Sequence, residues 1–206
     1  MCVRRRWRRA PGGFGFEVSG SQLDPLHFYG YGNDTEASES SDFYVVRQNR
    51  LLAAASWYRE MGRSSRFAIG PVAKYTRTQE PEGTPFAEAH SGGRDFGQIG
   101  GRASLTMDWR NAVLFPTRGG LVEIGGSAFP ALWDAEGVFG EAHAVASGYL
   151  TPSIPLSPTL AVRVGGTQLW GDFPVHEAAY LGGSATIRGY TFQRYAGDAM
   201  VFGNAE

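Results

Sequence analysis

The chain has 206 residues, with 19 basic against 20 acidic side chains and a formal charge of −1, which excludes a polybasic nucleic-acid binder as the default reading. Only 42% of residues are hydrophobic, 29 are glycine, and the basic set is 18 Arg to a single Lys, Lys74. Cys2 is the only cysteine, and His27, His90, His143 and His176 lie far apart, so an intramolecular disulfide, a Cys-cluster zinc site and a helical zinc pair are excluded and no metal or cofactor is expected.

Residues 1–13 carry Arg4, Arg5, Arg6, Arg8 and Arg9 around Trp7 with no apolar run behind them. This is not a signal peptide; it reads as a solvated basic tail or a miscalled start, and the folded domain is expected over 14–206. Residues 43–58 are mixed in pattern and read as a strand from their aromatic and Val content. In 66–78, Phe67, Ile69, Ala73 and Tyr75 share one side while Arg66, Gly70, Lys74, Thr76 and Thr78 share the other. Pro71 interrupts this strand; lacking an N–H, it should mark a bulge or a sheet rim.

Residues 99–110 alternate strictly. Ile99, Gly101, Ala103, Leu105, Met107 and Trp109 oppose Gly100, Arg102, Ser104, Thr106, Asp108 and Arg110. At helical spacing those charges would spread around a cylinder, whereas in a strand they share a face. The same period appears in 122–127 (Val122, Ile124 against Glu123, Gly125, Ser127), in 138–150 with Val145 as the exception, and in 160–165 (Leu160, Val162, Val164 against Ala161, Arg163, Gly165). Turn signals rich in Pro and Gly at 81–85, 91–93, 116–120, 134–137 and 152–158 separate these segments. The connections are too short for crossovers, and no segment has period 3.6, so the expected fold is all-β, an antiparallel meander.

Alternation alone leaves a soluble sandwich or lipocalin-like barrel open beside a transmembrane barrel. No apolar run reaches 18 residues, which excludes a membrane helix but not a membrane strand. Three features favour the membrane barrel. The longer periodic segments match the length of a tilted spanning strand rather than a globular one. The polar face mixes Arg, Asp, Glu, Thr, Ser and Gly, as a wet lumen would. Trp109, Phe115, Tyr149 and Trp170 fall at segment ends, where interfacial rings belong.

Two motifs sharpen the expectation. Asp108, Arg110 and Asn111, followed by Pro116, Thr117 and Gly119, resemble the D-x-R-N and P-T-x-G hairpin of the BamA/TamA family of outer-membrane assembly proteins, the bacterial surface antigen family, in which this element closes a periplasmic turn. Leu181, Gly182, Gly183, then Ile187, Arg188, Gly189 and Tyr190, resemble that superfamily's segment of a long extracellular loop folded back into the lumen. Gly203, Asn204 and Glu206 are similar to the G-N-x-E that begins its next strand. Residues 27–35, from His27 through Tyr29, Gly30, Gly32 and Asn33 to Thr35, also resemble a stretch common in such barrels. The resemblance covers about residues 13–206.

It implies about eight to ten strands of a family barrel of roughly sixteen, hence a partial barrel, without the later strands, the C-terminal aromatic residue or the upstream POTRA-type domains. Glycines 182, 183 and 189 would allow a tight return path, and the Arg188 fork would bridge acidic groups on the inner wall. Glu123 and Glu141 are candidate partners, although in the family the acidic partners sit on later strands. Two open sheet edges in hydrocarbon would leave rows of unpaired N–H and C=O groups at several kcal/mol each, so the isolated chain is not expected to insert as a stable monomer. The implied role is outer-membrane protein insertion, assembly or translocation, with outer-membrane lipid, client barrel proteins and the rest of its own barrel as partners. The rival readings are the membrane anchor of a fused phosphoesterase or patatin-like hydrolase, and a pore of the two-partner-secretion type. Gly12 to Gly15 and Gly30 to Asn33 do not sit between a strand and a helix as a phosphate loop must, and Asp95, Asp108, Glu123, Glu141 and His143 read as lumen or loop positions, so no catalytic site and no enzyme activity are expected.

Overall fold

The computed structural model describes residues 12–22, 25–62, 64–79, 83–89, 95–155 and 157–206. Most of the basic tail, 1–11, lies outside the described residues, while Gly12 and Gly13 belong to the first strand. In chain order the elements are β1 (Gly12–Ser21), β2 (Leu26–His27), a 3-10 turn (Ser41–Tyr44), β3 (Val45–Met61), β4 (Ser65–Gln79), α1 (Pro85–Ala89), β5 (Asp95–Asp108), β6 (Arg118–Phe129), β7 (Phe139–Leu150), β8 (Leu160–Gly171), a second 3-10 turn (Val175–Glu177), β9 (Ala179–Leu181), β10 (Tyr195–Gly197) and β11 (Ala199–Ala205).

The main sheet runs β1-β3-β4-β5-β6-β7-β8-β11, with β2 on the end of β3, and every pairing is antiparallel. It is the meander that the alternation predicts. Register keeps each face chemically uniform. Phe14 lies opposite Trp57, Trp57 opposite Ile69, Ile69 opposite Ala103, Leu105 opposite Ile124, Ile124 opposite Ala144, and Ala146 opposite Val164. On the other face Lys74 meets Gln98, Arg102 meets Ser127, Ser127 meets Glu141, and Ser147 meets Arg163.

The apolar face is the exposed one: Phe14, Phe16, Val18, Leu51, Ile69, Ile124, Val162, Val164 and Val201 are all exposed. The polar face is concave. Arg102 on β5 reaches Glu17 on β1 at 2.7 Å, across three strand spacings that on a flat sheet would amount to about 14 Å. This arrangement inverts a dissolved protein and fits a barrel wall, with apolar residues outward and ionic ones toward the bore.

The ends of the sheet differ. β3 and β4, β5 and β6, and β7 and β8 are joined at one end, the short-turn end, and β1 and β3, β4 and β5, β6 and β7, and β8 and β11 at the other, the long-loop end, where the two longest intervals between wall strands lie. Longer connections at one end are expected of an outer-membrane barrel, whose extracellular loops exceed its periplasmic turns. The long-loop end also holds buried apolar clusters. Leu26, Phe28, Val46, Phe86, Val175 and Ala178 form one, and Ala54, Val72, Phe129, Ala135 and Phe139 the other.

Four local expectations are corrected. Pro71 marks neither a bulge nor a rim: β4 is central, and pairing with β3 skips residues 55 and 56 yet resumes in unchanged register, Ala54 with Val72 and Trp57 with Ile69. The ladder to β5, including Pro71 opposite Gly101, is unbroken, so the missing N–H is confined to one side. Phe43 and Tyr44 belong to the 3-10 turn rather than to β3. The α1 helix has five residues, too few for a 3.6 period to show. Tyr149 shares its parity with His143 and Ser147 and is half-buried, so it turns inward, while Trp109, Phe115 and Trp170 are exposed at segment ends.

Candidate functional site

At the short-turn end, Asp108 closes β5 and binds Arg110 through two side-chain bonds, Nε to Oδ1 at 2.9 Å and Nη2 to Oδ2 at 2.7 Å, and accepts the Arg110 backbone N–H at 3.0 Å. Asn111 then ties the turn shut. Its Oδ1 accepts the N–H groups of Thr117 and Arg118, each at 3.0 Å, and its Nδ2 donates to Thr117 Oγ1 at 2.8 Å. Pro116 precedes this clasp. Gly119 lies just inside β6 at φ +100°, where a Cβ would fall against the Trp109 carbonyl oxygen. Both the positive φ expected beside the turn and the close strand approach require glycine here.

At the long-loop end the chain leaves the wall after Gly171 and returns at Ala199. Glu177 is the first anchor. Its Oε2 lies 2.7 Å from the Lys74 ammonium, with the two side chains only 6% and 18% exposed, and its Oε1 accepts from Gln98 Nε2 at 3.0 Å. Burial alone would push the Glu177 carboxyl up; Lys74, then His176 and Arg50, outweigh it and hold the group below its ordinary value. The Tyr180 hydroxyl donates to the Val175 carbonyl at 2.6 Å, and β9 pairs with β10 beyond it.

Past Leu181 the chain turns at Gly182, φ +132°, and Gly183, φ +86°. The Gly182 N–H donates to Thr186 Oγ1 at 2.9 Å and the Gly183 N–H to the Tyr190 carbonyl at 3.2 Å, closing a compact tip. Arg163 donates to the Ala185 carbonyl and Asn204 to the Thr186 carbonyl, both at 2.8 Å, and Arg188 pairs with Glu206. Gly189, φ +89°, turns the chain after Arg188, and Tyr190 stands 5.8 Å from Tyr195. Arg163 lies eight residues back along β8 from Gly171, about 26 Å at the usual rise per residue, so the loop runs down the inner wall toward the short-turn end.

Arg194 fastens the returning limb. Nη1 donates to Thr35 Oγ1 at 2.6 Å, Nη2 donates to the Thr35 carbonyl, and the guanidinium lies 4.9 Å from the Tyr29 ring and 4.8 Å from the Tyr195 ring. The Gly32 N–H donates to the Ala196 carbonyl at 2.9 Å. The 27–35 stretch and the returning limb, 159 residues apart at Thr35 and Arg194, thus form one unit.

Two expectations about this site change. Arg188 meets neither Glu123 nor Glu141: its partner is Glu206, just past the end of β11, because the tip lies against β8 and β11 rather than β6 and β7. Glu141 instead hydrogen-bonds His143 at 2.8 Å, and Glu123 is exposed. Gly203 and Asn204 do not begin a strand but end one that starts at Ala199. Phe202 points inward over Gly165, where a Cβ would lie 2.7 Å from its ring, so apolar residues on both faces hide the alternation. Sequence reasoning assigned no role to Glu177, Gln98 and Arg194; the one available signal was the uniqueness of Lys74.

Residues 7–205 match the Omp85 superfamily domain. The chain belongs to the Omp85 superfamily. No curated protein sequence matches it. Among solved structures it is similar to the crystal structure of BamA from Haemophilus ducreyi lacking POTRA domains 1-3, at 12% identity and TM-score 0.66, over 95% of this chain and 44% of that one. At that identity the likeness is one of fold, and this Omp85 chain spans less than half the length of that BamA chain. Its antiparallel meander has the fold of part of a β-barrel of this superfamily.

Proposed function

We propose that the chain forms one side of a barrel in the bacterial outer membrane that inserts or translocates other outer-membrane proteins, by presenting a weakly held strand edge rather than by chemical catalysis. The supporting observation is β1. All ten of its residues pair with β3, and among the described residues nothing pairs with its other edge. Phe14, Phe16 and Val18 project outward at 77% exposure or more, and Gly12, Gly13, Gly15 and Gly20 leave little side chain to lock the strand in place. A bare edge in hydrocarbon is untenable, so it is covered by the remainder of the barrel at rest and by an incoming client strand during work, as in β-augmentation. The convex apolar face meets lipid. The motif residues Leu181, Gly182, Gly183, Arg188, Gly189 and Tyr190 brace the bore, and the hairpin of Asp108, Arg110, Asn111, Pro116 and Gly119 fixes the register of β5 on β6.

A photo-crosslinking residue at Ser19 of the intact protein tests this in cells. Newly made outer-membrane barrel proteins are the expected adducts. Adducts confined to the protein's own barrel, with outer-membrane protein levels unchanged on depletion, would sink the proposal.

A further inference from the structure

Among the described wall strands, only the ladder between β3 and β4 is interrupted. Ala54 pairs with Val72 and Trp57 with Ile69, but residues 55–56 and 70–71 between them do not pair. The unchanged register sets Ala55 opposite Pro71, whose missing N–H removes the rung, and Ser56 opposite Gly70. A Cβ on Gly70 would lie 2.0 Å from the Ala55 carbonyl oxygen and 2.8 Å from Ser56 Cα. The β3 backbone therefore folds in over β4 at this point, an approach that only glycine allows. The wall is creased here.

Arg102 crosses the crease from the β5 side. It is the cross-strand partner of Gly70, and in that register its row continues through Ser56 on β3 to Gly15 on β1. The two glycines leave the path open. Along it Nη2 donates to Ser56 Oγ at 3.4 Å and to Glu17 Oε2 at 2.7 Å, so one guanidinium grips both strands beyond the crease. On β1 the inward positions are Gly13, Gly15, Glu17, Ser19 and Ser21, because Phe14, Phe16 and Val18 point outward. Glu17 is the one long side chain among them.

We propose that Arg102 is the positioning residue of the β1 edge. Its bond to Glu17 staples β1 and β3 to β4 and β5 across the crease at Gly70 and Pro71, and so sets the angle between these two parts of the wall. The ion pair replaces the constraint that the absent rung would supply. That this angle governs how β1 meets a client strand rests on the assembly reading above; the angle itself does not.

The test measures spin-label distances in the intact, membrane-embedded protein on a Cys2→Ser background. One pair, Val18→Cys on β1 with Ile124→Cys on β6, flanks the crease; the other, Ile124→Cys with Val164→Cys on β8, lies on one side of it. Arg102→Ala should shift the 18–124 distance by about 5 Å, one strand spacing, and leave 124–164 unchanged. Glu17→Gln should do the same. The charge swap Arg102→Glu with Glu17→Arg should restore the parent distance, which a general loss of stability would not. An 18–124 distance that survives Arg102→Ala overturns the staple, as does equal movement of both distances or a swap that leaves 18–124 displaced. If Arg102→Ala does not assemble, Glu17→Gln decides: displacement of 18–124 alone supports the staple, and an unchanged distance refutes it. No client enters the measurement, so crosslinking of clients at Ser19 could fail while the staple stands, and the staple could fail with that crosslinking intact.

Discussion

The root and the tip of the re-entrant loop are both polar contacts to the same wall, yet they differ in how much water reaches them. Lys74 and Glu177 meet in a nearly dry pocket backed by Phe129 and by buried Val175 and Ala178; Arg188 and Glu206 meet in the open. A guanidinium fork would ordinarily be chosen for a strong ion pair. Here the stronger attachment belongs to a lysine, because burial rather than donor count sets the cost of breaking it. Motif matching therefore points to the tip, while the energetics point to the root.

The sharpest way to break this contrast is Lys74→Met, which strands the Glu177 carboxylate. The loop should be destabilised by about 3–5 kcal/mol, seen as loss of hydrogen-exchange protection over residues 175–181 in the bilayer-embedded protein; protection equal to the parent would place the anchor elsewhere. Arg194→Ala removes both bonds to Thr35 and the contacts with Tyr29 and Tyr195. It should cost about 2–3 kcal/mol and expose residues 27–35 together with the returning limb, read by limited proteolysis of that stretch.

Acidification gives a graded version of the first experiment. The folded Glu177 carboxyl titrates below its ordinary value, so its contribution is complete above the ordinary carboxyl range and is lost as pH falls through the depressed folded value. Exchange at 175–181 should be flat through the neutral range and rise only in acid; a rise between pH 6 and 8 would assign control to another group. Smallest of all, Arg188→Ala should cost this chain only about 0–1 kcal/mol, measured as a shift in the urea midpoint of tip exposure. A cost as large as that of Lys74→Met would erase the distinction between root and tip.

Much of the wall was legible in advance. The 99–110 alternation led to β5, and with the periodicity of 66–78 and 138–150 it defined the apolar and charged faces that the register then joined across the sheet. The hairpin motif was also readable, since Asp108, Arg110, Asn111 and Thr117 interact over a span of ten residues. Less legible were β11, where Phe202 blurs the period, and Pro71, whose missing hydrogen bond is absorbed on one side of a central strand.

Sequence by itself determined the wall strands from β3 to β8, their meander order and the resemblance to the superfamily, because each rests on short-range periodicity or on motifs written within about a dozen residues. Only the tertiary structure decided that Glu177 finds Lys74 103 residues away, that Arg194 finds Thr35 159 residues away, and that Arg188 meets Glu206 rather than Glu123 or Glu141. Those choices depend on where a curled sheet carries its loops, and no local pattern encodes which side chains a closing bore brings face to face.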